Sequence, residues 1–501
     1  MSNQKSYDQI LKSSSIMGGA AGFVMLLGLI RTKFAALLIG TTGVGLLASL
    51  SSIQATLSTL SGLGLSSSAV REMAAAVGKD DQPAVSRAVS TLQHLSWFTG
   101  LAGMVLLVAA SPLVSWITFG TNQYTLDIAA LGLIVLAGNL SAAQLAVLQG
   151  LRRIGDMARA NVYGTAVATV LSVVFYSWLA LRGIVPALIA AAFVQLAFAH
   201  HFVRRIGVPP ARQSWRDTWR QGRSMLTLGA SLMWSSLLVS AVGYITIYLI
   251  NRFENVQAVG IYSAAFVLSG AFVSFVLNAM GADYFPRLTG MVDDPAAMTR
   301  LVNEQTEIGV LLATPGLLAC MVFSPWLVHL LYSSEFMPAA HLLQWFLLGC
   351  LGRVISWPMA FIILAMGKGR WFFLTETASN ALHAILIAAG LFLFGIEGVA
   401  VAFFLLYVAY TVAVYLVGQR LIGFHWNAAT SRLSLTSIVL LSLGFIVSRT
   451  LPSMTAAAIG VLVVPACVIH CVRSLVRRTG ADSPVALKIL RIPGGRLIAG
   501  L

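Results

Sequence analysis

Runs of about twenty apolar residues recur along the whole of this chain, and no other feature restricts its fold as much. A backbone N–H or C=O in lipid has no water to bond, so a spanning segment must pair its own groups, and about 20 residues of helix cross the hydrocarbon. Fourteen such runs can be counted, near 13–39, 43–69, 90–119, 125–150, 159–181, 184–204, 224–250, 258–283, 304–332, 339–366, 371–394, 397–419, 433–450 and 454–473. They predict an all-α integral membrane protein with about 14 transmembrane helices. Composition agrees: 58% of the 501 residues are hydrophobic and 10% charged, against about 25% charged in soluble domains. The first run far exceeds the 7–15-residue apolar core of a cleavable signal, so it reads as a retained span.

The net charge of +15 would suggest nucleic acid on a soluble protein. Sorting the 32 lysines and arginines by segment removes that reading. With the N-terminus in the cytoplasm, 26 fall in inner segments, three (Arg182, Arg252, Arg449) in outer loops, and three (Arg31, Lys33, Arg353) inside spans. Such asymmetry is the positive-inside rule, and it predicts both termini on the cytoplasmic side, with no nucleic-acid partner. The longest inner connection, RRIGVPPARQSWRDTWRQGRS from Arg204, repeats Arg212, Arg216 and Arg220 at every fourth residue beside Trp215 and Trp219. This fits either a short helix on anionic lipid headgroups at the cytoplasmic face or a solvated basic linker.

The chain also repeats itself. VGLLASLSSIQATLSTLSGLG from Val44 and VGIYSAAFVLSGAFVSFVLNAMG from Val259 both open on Val-Gly after an outer turn, 215 residues apart. LQGLRRIG from Leu148 corresponds to LAMGKGRW from Leu364, and Gly183-Ile184 to Gly395-Ile396. Spans one to six and seven to twelve are then two parallel copies of a six-helix unit, because an even number returns the chain to its starting side. The expected domains are a first lobe over 1–205, a basic linker over 206–223, a second lobe over 224–420, and two extra helices with a basic tail over 421–501. Paired bundles of this kind are the organisation of alternating-access transporters.

Enzyme chemistry has no footing here. There are no paired carboxylates, nucleophile motif or phosphate-binding glycine loop, so neither catalysis nor a cofactor is expected. The serines of LSSSAV (65–70) lack a companion His and acid and read as packing. Cys467 and Cys471 lie one helical turn apart, but no His or acid completes a metal set. A glycan polymerase or ligase would need substantial outer loops, which the spacing of the spans does not leave.

The embedded cations carry the functional signal, because a charge in hydrocarbon costs roughly 2.5–3.5 kcal/mol on insertion scales. At 1.5 Å per residue, Lys33 lies about 10 Å and Arg31 about 13 Å from the Gly40 end of the first span. The two are about 200° apart around the helix and cannot share a face. Which of them lines a cavity stays open. Arg353 lies roughly 20 Å from either end of the tenth span, beyond the reach of snorkelling. It faces either a cavity or helix-end carbonyls, and Ala137 holds the matching place in the first copy. The acids sit towards span ends: Asp127, Glu335 and Glu397 on the outer side, Glu307 and Glu376 on the inner. Glu376 has Lys368 and Arg370 close by in sequence, and His383 can titrate; these two are accessory candidates. A cavity of this sign favours an anionic substrate. A sodium- or proton-coupled exporter of cations would instead bury a carboxylate.

Lys33 and the turn LLIGTTGVGLL (37–47), with Gly40, Gly43 and Gly45, resemble the first-helix signature of Wzx-type polysaccharide transporters, lipid-linked oligosaccharide flippases of the MOP superfamily. LQGLRRIG resembles that family's inner turn after the fourth helix. The resemblance implies a MATE-like V-shaped fold in the bacterial inner membrane. It also implies movement of an undecaprenyl-pyrophosphate-linked glycan, an exopolysaccharide or O-antigen repeat unit, between leaflets, with cavity cations on the pyrophosphate or acidic sugars. Polymerase or export machinery would be its partner. The alternatives are a MATE-type exporter and a lipid II flippase; the PNLLRR-type stretch of the latter is absent between the first two spans.

Overall fold

The computed structural model describes residues 2–209, 211 and 215–479, all of whose regular structure is helical. Fourteen α-helices follow in order: α1 (Ser2–Gly62), α2 (Leu65–Val77), α3 (Gln82–Phe119), α4 (Thr125–Gly150), α5 (Ile154–Leu179), α6 (Ile184–Arg204), α7 (Trp215–Phe253), α8 (Val256–Thr289), α9 (Pro295–Val322), α10 (Ser324–Leu331), α11 (Ala339–Ala365), α12 (Gly369–Ile422), α13 (Ala428–Thr450) and α14 (Ser453–Thr479). Ten helical runs are long and apolar enough to cross a membrane. Three of them are pairs of helices: α1 bends at Gly40, α5 meets α6 through the turn Ala180–Gly183, and α12 bends at Gly395. With α8 added, the described helices agree with about 14 crossings. Gly40 and Gly395 have φ near +65° and +60°, where a β-carbon is penalised, which is why the chain reverses there.

Large apolar side chains stand fully outward, including Leu126, Trp178 and Phe392. Soluble monomers do not display apolar surface on this scale, and lipid accepts it. The chain is a multi-pass membrane protein.

Two expected spans are broken within their length, and α3, α7 and α9 begin eight or nine residues before the spans expected there. The second span, expected over 43–69, stops at Gly62; Leu63 and Gly64 take positive φ and α2 starts afresh. Gly64 lies so close to α7 that a β-carbon on it would fall on the carbonyl oxygen of Gly229. The ninth span, expected over 304–332, breaks at Phe323, and Pro325 opens α10 because proline fits the first turn of a new helix. The basic connection is partly outside the described residues, Arg212 included; from Trp215 onwards it is the beginning of α7. The tail cations Lys488, Arg491 and Arg496 also lie outside the described residues.

By packing, the described helices form two compact units. The first runs to Gly260 and includes Leu331–Ser333; the second is the remainder from Ile261. In the first, α7 is joined to α1 and α3 by neutral groups. Asn251 Nδ2 donates to Ser49 Oγ at 3.0 Å, Thr56 Oγ1 to the carbonyl of Ser240 at 3.3 Å, and Thr118 Oγ1 pairs with Tyr244 Oη at 2.8 Å. Small residues and interhelical hydrogen bonds are what hold helices together in lipid, where apolar burial supplies no net force.

A reciprocal contact closes this unit. A β-carbon at Gly45 would fall on the carbonyl oxygen of Val256, and one at Gly260 on that of Thr41. Gly45 and Gly260 are 215 residues apart, and so are Thr41 and Val256. Position i touches j, and the equivalent of i touches the equivalent of j, as when two copies of one element meet about a local two-fold.

The second unit is built around an apolar cluster of Tyr284, Leu288, Met298, Met359, Ile362, Val414 and Phe424. Tyr284 Oη donates to the carbonyl of Pro358 at 2.8 Å, satisfying both groups inside the cluster. Two carboxylates pin α13 at opposite ends. Near its start, Glu307 of α9 ion-pairs with Arg478 of α14 and accepts from Thr430 Oγ1 at 2.7 Å. Near its end, Glu397 pairs with Arg449 and accepts from Trp345 Nε1 at 2.8 Å.

Candidate functional site

Each unit carries part of the cation set, and each part is described by itself. In the first unit, Arg31 and Lys33 are half-buried on α1, ahead of the Gly40 bend. Their side chains diverge, as a separation of two residues requires. Lys33 Nζ donates to the main-chain carbonyl of Tyr332, so its charge is anchored on a backbone dipole. Arg31 points elsewhere, close enough to interact electrostatically with the buried Tyr176 of α5. Among the described residues, no carboxylate forms an ion pair with Arg31.

In the second unit, Arg353 is half-buried near the middle of α11, with no carboxylate ion pair among the described residues. The helix packs here against α12 at close range: a β-carbon on Gly352 would sit 3.0 Å from that of Tyr407, and Thr411 Oγ1 reaches the Gly352 carbonyl at 3.4 Å. Tyr407, half-buried, lies in the electrostatic field of both Arg353 and Glu376, so the fold brings these two charges near one phenol. Glu376 acts on Tyr410 as well.

His383 joins the same neighbourhood through Phe403, with ring centroids 6.2 Å apart. Phe403 belongs to an aromatic column in which Phe346 and Phe403 lie 5.3 Å apart and Phe403 and Tyr407 4.9 Å apart. Sequence reasoning did not single out Tyr407, Phe403 or Tyr176. The signal was present for two of them: Phe403, Tyr407 and Tyr410 recur at helical spacing in FFLLYVAY, one aromatic face running along the second half of α12.

The carboxylates are otherwise engaged. Glu307 and Glu397 belong to the two clasps on α13. Among the described residues no group of three or more His, Cys, Asp or Glu could hold a metal ion, and Cys467 and Cys471 are buried as free thiols. Each unit by itself carries cationic groups of a kind that attracts negative charge: Arg31 and Lys33 in the first, and Arg353 near Tyr407 in the second.

Comparisons with known proteins agree with this picture. A family model described as polysaccharide biosynthesis protein matches residues 36–341, more than half of the chain. The lipid III flippase of Escherichia coli is 23% identical over 393 residues, covering 76% of this chain and 92% of that relative. Among solved structures, the lipid II flippase MurJ in an inward closed conformation gives a TM-score of 0.70 at 12% identity, over 92% of this chain and 98% of that one. An inward-facing multidrug-resistance MATE transporter of the MOP superfamily gives 0.62 at 13% identity, over 84% and 96%. At such identities the structures speak for the fold alone. The chain therefore has the fold of the MOP-superfamily transporters and belongs to the polysaccharide biosynthesis protein family.

Proposed function

We propose that this protein is a flippase that moves a polyprenyl-pyrophosphate-linked oligosaccharide, an exopolysaccharide or O-antigen repeat unit, across the bacterial inner membrane by alternating access. The six-plus-six helix organisation with two additional helices supplies the moving parts, and both termini are cytoplasmic. Arg31, Lys33 and Arg353 draw the pyrophosphate or acidic sugars into the protein, and the undecaprenyl chain stays in lipid. Glu376 and His383 modulate the second unit's cation through the aromatic column.

The observation that carries the reading is Arg353: a guanidinium in the middle of a spanning helix, without a carboxylate ion pair among the described residues, in a chain of this family. A charge kept there at a cost of several kcal/mol has a task. Cation-coupled export of drugs fits less well, because Glu307 and Glu397 hold helices together and so are not free to carry a coupling ion.

Arg353→Ala in a polymer-production assay is the test. Polymer yield is expected to fall at least tenfold in a variant that accumulates to normal levels in the membrane. Unaltered yield would remove Arg353 from the site. Sodium-coupled transport of a cationic dye by the unmodified protein would replace the flippase reading with that of an exporter.

A further inference from the structure

The break between α1 and α2 opens a cavity that the cations do not explain. It measures about 360 Å³ and is lined by Gln54, Ser58, Ser66, Ser67, Thr99 and Asn139, among others, with no lysine, arginine, histidine or carboxylate in its wall among the described residues. At the small end of ligand pockets, which run from about 300 to 1,000 Å³, it has room for one compact group.

Its polar groups are arranged for a guest. The main-chain N–H groups of the first turn of α2 are orphan donors, since Gly64 precedes them and has no side chain to cap them. Ser66 and Ser67 of that turn line the cavity. Opposite, on α3, Thr99 is only 8% exposed, and its hydroxyl is buried with no hydrogen-bond partner among the described residues. A buried hydroxyl favours a hydrogen-bond partner, and this one is available to a guest. Asn139 donates its Nδ2 to Ser61 Oγ at 2.9 Å, and Gln54 donates its Nε2 to Ser58 Oγ at 2.9 Å. Among the described residues neither amide oxygen accepts a hydrogen bond, so both can accept from a guest.

We propose that this cavity is a subsite for a single sugar ring of the transported glycan, an inference that rests on the flippase reading. Donors and acceptors are interspersed, and a ring hydroxyl is both at once. An anion would satisfy the N–H groups but meet the amide oxygens unfavourably; a cation would do the reverse. The absence of charge in the wall suits a neutral ring and leaves the pyrophosphate to the cations. The close packing of Gly64 on Gly229 fixes the break between α1 and α2.

The test uses the full-length protein in detergent, with glucose, galactose, mannose and N-acetylglucosamine as separate probes and unfolding temperature as the readout. At least one sugar is expected to raise the midpoint saturably at millimolar concentration, as a ligand of the native state must. Thr99→Val is expected to weaken that apparent affinity by about tenfold, the upper worth of one hydrogen bond, and Thr99→Ser to restore it. If Thr99→Val fails to fold, Ser67→Ala with the same sugars serves in its place. Stabilisation by inorganic phosphate or sodium with no response to any sugar would overturn the subsite, and so would an equal sugar response in wild type and Thr99→Val. The sugar effect is expected to persist in Arg353→Ala. Loss of the subsite and loss of the flippase reading are therefore read by different assays, one by binding and the other by polymer yield.

Discussion

In the first unit α7 is joined to its neighbours by neutral groups, whereas in the second, beside neutral bonds such as that of Thr411 Oγ1 to the Gly352 carbonyl, carboxylates hold both ends of α13. In the first, Ser49, Thr56, Thr118 and Asn251 share protons across α1, α3 and α7, and glycines at 45, 64, 229 and 260 let backbones touch. In the second, Glu307 and Glu397 each gather a cation and a neutral donor, one at either end of α13. Neutral bonds between helices in lipid are weak, averaging about 0.6 kcal/mol, so the first unit depends on close backbone packing. A carboxylate with its cation can lock a helix from two points. That suits the second unit, which has two additional helices to secure. The comparison also separates duties among the charges: acids build, while Arg31 and Arg353 are left without carboxylate ion pairs among the described residues.

Six substitutions would break or sharpen this contrast. Gly45→Ala places a methyl on the Val256 carbonyl, at a cost above about 3 kcal/mol because only backbone can move. Monodisperse protein recovered by size exclusion should nearly vanish, and Gly260→Ala should do the same if the contact is truly reciprocal. Gly28→Ala, with nothing within 4 Å of the new methyl, should leave the yield unchanged. In the second unit, Glu307→Gln should cost about 1–3 kcal/mol, below the 3–5 of a fully buried pair, since the Arg478 side chain is 33% exposed. The unfolding midpoint in detergent should fall accordingly. Glu397→Gln should cost less, about 0.5–1 kcal/mol, because the Glu397 side chain is 38% exposed. A midpoint shift larger than that of Glu307→Gln would reverse the ranking of the two clasps. Apart from the neutral Gly28→Ala, the smallest effect is expected at Ser49→Ala, about 0.6 kcal/mol for one interhelical bond. A loss of 2 kcal/mol or more there would show that the neutral seam, and not the glycine contacts, holds α7.

Much of the architecture was legible before any coordinates. Apolar runs marked nearly every spanning helix, because hydropathy and length are local properties, but α3, α7 and α9 begin eight or nine residues earlier than the runs do. The two breaks inside expected spans, at Leu63–Gly64 and Phe323, are also local, but in both the apolar pattern continues through the break. At the first, only the approach of Gly229 reveals why the helix stops. The embedded cations could be picked out by elimination, yet their surroundings could not. Nothing within α1 says that Lys33 reaches the carbonyl of Tyr332, 299 residues away, and nothing within α11 says that Arg353 and Glu376 share Tyr407.

By itself, then, the sequence determined what one-dimensional patterns can encode. These are spans set by apolar length, an internal repeat set by recurring Val-Gly and basic turns, and a short set of charges that topology leaves over. Tertiary structure decided which of the polar residues are spent. Glu307 and Glu397 became clasps, Lys33 took a backbone partner, and serines expected to be packing came to line a cavity. The physical reason is that a polar group's fate in a membrane depends on whether a partner stands within about 3 Å, and the partners here come from helices distant in sequence.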